Sequence, residues 1–164
     1  MNQTELFDVA GLLIPKVNGL DLKGGCVCPT CGQFAKEYRR KLHATMALSL
    51  INLYKIQNKS GVRWVHFNEL ATFRGKYVGG DINKLTHWGL VAQKINEDSN
   101  KRKSGFWGIT LNGKWFVEER LSVPSHIVLY NNRLQHREGK PIYITDALGD
   151  KFDYKELMGA KAES

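Results

Sequence analysis

The chain has 164 residues, 42% apolar and 24% charged, with a formal net charge of +8. That apolar share supports a buried core and excludes wholesale disorder, and no apolar run nears the roughly 20 residues of a membrane span. Residues 33–114 carry 15 Lys and Arg against 5 Asp and Glu, whereas the remainder carries 9 against 11; a basic middle of this kind predicts a surface for a polyanion.

The opening "MNQTELFDVAG" lacks a basic segment ahead of an apolar run, so it does not read as a secretory signal. A cytoplasmic setting, with reduced thiols, is therefore expected. Residues 1–25 are short, mixed and punctuated by glycine. "GGCVCPTCGQF", residues 24–34, then holds all three cysteines. An odd count in a reducing compartment favours metal binding over a disulfide framework. The two-residue gap between Cys28 and Cys31 lets two sulfurs approach one ion, with Pro29 and Gly32 shaping the turn, which predicts half of a structural zinc site. Cys26 is a candidate third ligand. His43, separated from Cys31 by eleven intervening residues, is a candidate fourth, and Asp21, His66, His87 and His126 stay open as replacements. A redox pair is the competing use of such a motif, but the strand-to-helix setting it needs is not evident.

From Phe34 the pattern changes. Phe34, Tyr38, Leu42, Met46 and Leu50 recur every four residues, which predicts a long helix over residues 34–57, ended by "NKSG". Lys36, Arg39, Arg40 and Lys41 would lie on its first turns. "VRWVHF", 62–67, reads as a short strand, and Asn68 is placed to cap a short helix. In 81–88, Asp81 caps a helix whose Ile82, Leu85 and Trp88 turn inward, and Gly89 ends it in a left-handed conformation. "LVAQKI" and "FWGIT" read as strands around the polar turn "NEDSNKRKSG". Thr110 starts a further helix carrying Trp115, Phe116 and Val117. Beyond Leu121, "HIVLY" and "PIYI" read as strands, Asn131-Asn132 as a hairpin turn, and "TDAL" and "DYKELM" as short helical pieces.

The order helix, strand, helix, helix, strand, basic turn, strand, helix over residues 34–121 resembles a winged helix-turn-helix. The phrase "FWGITLNGKWFV" resembles the stretch where the last wing strand runs into a Thr-x-x-Gly helix start. More loosely, "HWGL", "VPSHIVLYNN" and "ITDALGDKFDYKELM" make the chain similar to small uncharacterised proteins of phages and prophages. The expected fold class is α+β. It comprises a Cys-rich knuckle over 1–33, a winged helix over 34–121, a C-terminal β-hairpin with a helical cap over 122–158, and a disordered tail over 159–164. The C-terminal hairpin either packs on the winged helix or mediates a homodimer through "HIVLY".

The winged-helix resemblance implies DNA recognition by the second helix of the pair. Residues 81–88 would then leave Asn83, Lys84, Thr86 and His87 outward, residue types suited to base edges and phosphates. Lys101, Arg102 and Lys103 would sit at the tip of a basic wing, 96–104, with Arg39 and Arg40 extending the basic surface. No Gly-rich phosphate loop, His-Glu-x-x-His or paired carboxylate motif is present, so the chain reads as a non-enzyme. The expected function is a nucleic-acid-binding regulator of duplex DNA. The alternatives are an interaction module of phage type for an acidic host protein, and RNA binding with Trp64 and Trp107 stacking on bases.

Overall fold

A computed structural model describes residues 24–28, 31–101 and 104–159 of the chain. The expected lead-in, residues 1–23 with Asp21, lies outside them, as do Arg102, Lys103 and all of the expected tail but Gly159. The architecture mixes helix and strand, as the α+β expectation requires.

One helix organises the core. α1 spans Ala44–Ser60, and Met46, Ala47, Leu48, Leu50, Ile51 and Leu53 are all buried. Gly61 ends it at φ 72° in the left-handed region, with its N–H donating to the Gln57 carbonyl, so the "NKSG" stop holds. The expected start at Phe34 does not hold. Residues Phe34–Ala35 form β2, which pairs with β1 (Cys26–Val27), and Glu37–Lys41 form β3. The reason is arithmetic: a spacing of four keeps residues on one face of a helix and equally on one face of a strand. Leu42 is buried, but Phe34 and Tyr38 are 64% and 50% exposed, so the apolar stripe belongs to the core only from Leu42 onward.

β4 (Val65–His66), α2 (Phe67–Leu70) and a short hairpin of β5 (Thr72–Phe73) and β6 (Lys76–Tyr77) follow α1. The cap of α2 is His66, whose ring accepts the Asn68 N–H; Asn68 is the donor and not the expected cap. A 3-10 helix, Ile82–Trp88, leads through Gly89 (φ 74°) to β7 (Val91–Gln93) and β8 (Phe106–Ile109). β4, β8 and β7 form one antiparallel sheet in that order. α3, Leu111–Val117, starts as expected: the Thr110 hydroxyl accepts the Gly113 N–H at 3.0 Å and donates to the Gly89 carbonyl at 2.6 Å. Phe116 and Val117 are buried, while Trp115 lies under the Arg120 guanidinium.

β9 (Val123–Tyr130) and β10 (Arg133–Ile142) form the C-terminal hairpin. Asn131 and Asn132, at φ 51° and 63°, give the two left-handed residues of a tight hairpin turn. β3 adds to the far side of β9, so "HIVLY" lies in the central strand of the order β10–β9–β3 and has neither edge open. α4 (Ile144–Leu148) and α5 (Tyr154–Leu157) close the chain. One cluster of buried side chains runs from Leu42 through Leu85, Trp88 and Phe116 to Ile127, Ile144 and Leu157. The C-terminal hairpin and its helices therefore share the core of α1.

Candidate nucleic-acid interface

The Ile82–Trp88 helix is short and tightly wound, and its 3-10 form explains which residues it hides. With three residues per turn, side chains three apart stack in rows. Ile82, Leu85 and Trp88 form the buried row, as expected, and Trp88 Nε1 donates to the Pro124 carbonyl at 2.7 Å. Asp81 precedes the helix without capping it; its carboxylate meets His43 Nε2 at 3.2 Å instead.

The remaining residues fall in two rows of different character. Lys84 and His87 are half-buried: the Lys84 ammonium donates to Asn132 Oδ1 at 3.0 Å, and Arg137 Nε donates to the His87 backbone carbonyl at 2.7 Å. Burial, then the neighbouring charges of Lys84 and Arg137, holds the His87 pKa below its ordinary value. Asn83 and Thr86 form the other row, half-buried at Asn83 and exposed at Thr86. Thr86 is exposed, and its hydroxyl donates to the Asn83 carbonyl at 2.6 Å. Asn83 lines a 350 Å³ groove with His66, Gln93 and Gly105 at the base of β7 and β8. This row is flanked by that strand base on one side and by the β9–β10 turn on the other.

The loop joining β7 to β8 occupies the expected wing position. Its described part is braced locally: Asn96 Oδ1 accepts the Asp98 N–H, Asp98 Oδ1 accepts the Asn100 N–H, and Ser104 Oγ donates to the Lys94 carbonyl at 2.7 Å. The Asn96 amide also donates to the Lys101 carbonyl. Lys101 is exposed, and the Lys94 ammonium lies 5.6 Å from the Phe106 ring. Arg102 and Lys103, expected at the tip, lie outside the described residues.

Arg39 and Arg40 stand on strand β3, not on a helix, and strand alternation sends them to opposite faces. Arg39 Nε donates to Glu138 at 2.5 Å, and His136 reaches the other Glu138 oxygen at 3.2 Å. The hydrogen bond from Arg39, then that from His136, holds the Glu138 pKa below the ordinary carboxylate value. Arg40 and Lys36 each lie 5.9 Å from the exposed Tyr38 ring. Tyr38 also lines a 240 Å³ pocket with Lys36, Tyr130 and Asn131, next to Cys28 and Cys31.

The cysteine segment folds as a tight turn: the Gly32 N–H donates to the Cys28 carbonyl at 2.8 Å, and the Cys28 N–H to the Gln33 carbonyl at 2.7 Å. Cys28 and Cys31 border one pocket, while Cys26 lies on β1 opposite Ala35. His43 is engaged elsewhere, with Thr45 Oγ1 at 2.6 Å and Asp81 at 3.2 Å. Among the described residues no group of three or more His, Cys, Asp or Glu side chains is placed to hold a metal ion. Cys26, Cys28, Cys31 and His43 form no such group among the described residues. Trp107, 5% exposed, is a core residue that cannot stack on a base, while Trp64 is half-buried under Arg63.

Two parts of the interface lack a local signal in the sequence. Arg137 arrives beside the Ile82–Trp88 helix, and Arg133 follows the Asn132 that meets Lys84, only because β10 folds back on β9. Away from that helix, the β5–β6 turn carries Arg74, at φ 49°, which pairs with Glu156 of α5 at 2.8 Å. Comparison with protein-family models gave no match, and comparisons with curated proteins and with solved structures likewise gave none. Among the described residues, no helix is long and apolar enough to cross a membrane.

Proposed function

We propose that this protein binds duplex DNA as a non-catalytic regulator of winged-helix type. One observation carries the reading. The order α1, β4, α2, β5, β6, Ile82–Trp88 helix, β7, β8, with the sheet order β4–β8–β7, supports the winged-helix reading, with Asn83 and Thr86 in one row of that helix. In this reading the row faces base edges in the major groove, where Asn83 pairs with adenine once it leaves its groove. Lys94 and Lys101 of the wing follow the phosphates on one side. Lys84, Arg133 and Arg137 neutralise phosphates on the other, with Asn132 holding Lys84 in place.

The sign of the field supports the same surface. Between Gln33 and Lys114 the chain has three times as many cations as anions, so low-salt association with a polyanion is favoured. Five phosphate contacts would give a log–log salt slope near −4.5, at about −0.9 per contact. The test is a titration of labelled duplex DNA across salt concentrations with wild type, Lys101→Ala and Thr86→Ala. Lys101→Ala weakens all sequences alike and reduces the slope by about one. Thr86→Ala acts only where sequence is read. Affinity for one acidic protein without salt-dependent DNA binding would replace this reading with an interaction module.

A further inference from the structure

Among the described residues β3 is the edge of the β10–β9–β3 sheet, and its sequence is nearly self-complementary about its centre. The Leu42 N–H donates to the Ser125 carbonyl at 3.0 Å, just beyond the Lys41–His126 pair. Antiparallel ladders alternate between hydrogen-bonded and non-hydrogen-bonded pairs. Arg40 opposite Ile127 and Tyr38 opposite Leu129 are then the bonded pairs. The main-chain N–H and C=O groups of Glu37, Arg39 and Lys41 point away from β9, to the side on which no strand of the described residues pairs. Such an edge is a template for a further strand.

We propose that β3 pairs antiparallel with β3 of a second copy of this chain, about a two-fold axis at Arg39. In that register Glu37 of each copy lies opposite Lys41 of the other, giving two cross-strand pairs of opposite charge. Tyr38 lies opposite Arg40 of the other copy, so an aromatic ring that is 50% exposed gains a second guanidinium beside its own Arg40. The two Arg39 residues face each other, each with its guanidinium already bound to Glu138. All three outward residues fall into hydrogen-bonded pairs because they share one parity.

Neighbouring registers of that parity are poorer. Slipping two residues toward Lys41 places Arg39 against Lys41, two like charges. Slipping two residues the other way shortens the five-residue ladder to three. The result is a continuous six-stranded sheet, β10–β9–β3–β3–β9–β10, with an isologous interface. The dimer expected from "HIVLY" is thereby moved from β9, which has no open edge, to β3.

The experiment is sedimentation of the full chain over a concentration series, without nucleic acid, with far-UV circular dichroism verifying the fold of each variant. Wild type is expected to dimerise reversibly. Glu37→Lys and Lys41→Glu each convert two attractive pairs to repulsive ones and raise the dimer dissociation constant by roughly tenfold or more. An equimolar mixture of the two variants restores the dimer as a heterodimer, because one copy then carries two cations and the other two anions. The double variant Glu37→Lys/Lys41→Glu restores it within one chain. A wild type that stays monomeric overturns the proposal. So do single variants that dimerise like wild type, or a mixture and a double variant that both fail to recover.

Discussion

Gly113 brings α3 against the Leu90 carbonyl just ahead of β7 at very close range, and replacing it with alanine gives a defined perturbation. A Cβ there would lie 2.1 Å from the Leu90 carbonyl oxygen, 2.6 Å from Ile109 Cγ1 and 3.0 Å from the Leu90 carbonyl carbon. The oxygen cannot retreat cheaply, because it accepts the Thr110 N–H at 3.1 Å and Thr110 caps α3. Overpacking costs about 1–3 kcal/mol. Loss of that hydrogen bond adds about 1 kcal/mol. Alanine returns about 1 kcal/mol over glycine inside a helix. The net expectation is a destabilisation of about 1–3 kcal/mol, or roughly 2–12 °C in melting temperature for a chain of this size. Urea unfolding followed by tryptophan fluorescence and circular dichroism reads this as a lower midpoint at unchanged slope. Leu111→Ala, at a position 60% exposed on the same helix, should stay within about 0.5 kcal/mol and serves as the control. If Gly113→Ala is as stable as wild type, α3 does not pack against the start of β7 as described.

Three further outcomes follow from the same contacts. Leu85 is fully buried beneath the Ile82–Trp88 helix, so Leu85→Ala should cost about 2–5 kcal/mol by denaturant midpoint. The folded-state pKa of His87 lies below its unfolded value, so its contribution to stability is fully present above the ordinary imidazole value and is lost as pH falls through the folded one. Lys84→Met removes one of the charges that disfavour the imidazolium, and an NMR titration should show the His87 pKa moving up. The His43–Asp81 pair is about half exposed on both sides, so Asp81→Ala should cost less than about 1 kcal/mol, with the effect shrinking in high salt.

Where local chemistry sets the conformation, the sequence was a sufficient guide. Gly61 and Gly89 end their helices, Thr110 caps α3, and Asn131-Asn132 turns the hairpin, because each residue type solves a problem within three or four positions of itself. The Ile82, Leu85 and Trp88 spacing likewise identified the buried row, and a period of three is native to the 3-10 helix that forms. The reading of residues 34–41 went astray because a spacing of four serves a strand as well as a helix. What decides between them is β9, some 90 residues later in the chain, which leaves no mark on the local pattern. The same distance effect hid the fate of Lys84 and His87. Their residue types suit DNA, yet Asn132 meets the Lys84 ammonium, and Arg137 the His87 backbone carbonyl, only after the hairpin folds back. His43 was weighed as a metal ligand on spacing from Cys31 alone, whereas the fold places Asp81 and Thr45 against its ring.

The most direct test of DNA binding is fluorescence anisotropy of a labelled random duplex, titrated with the full chain from low to physiological salt. The account predicts binding at low salt that weakens steeply, with a log–log slope near −4 to −5, and a slope shallower by about one for Lys101→Ala. An absence of binding at the lowest salt, or an affinity indifferent to salt, would contradict it.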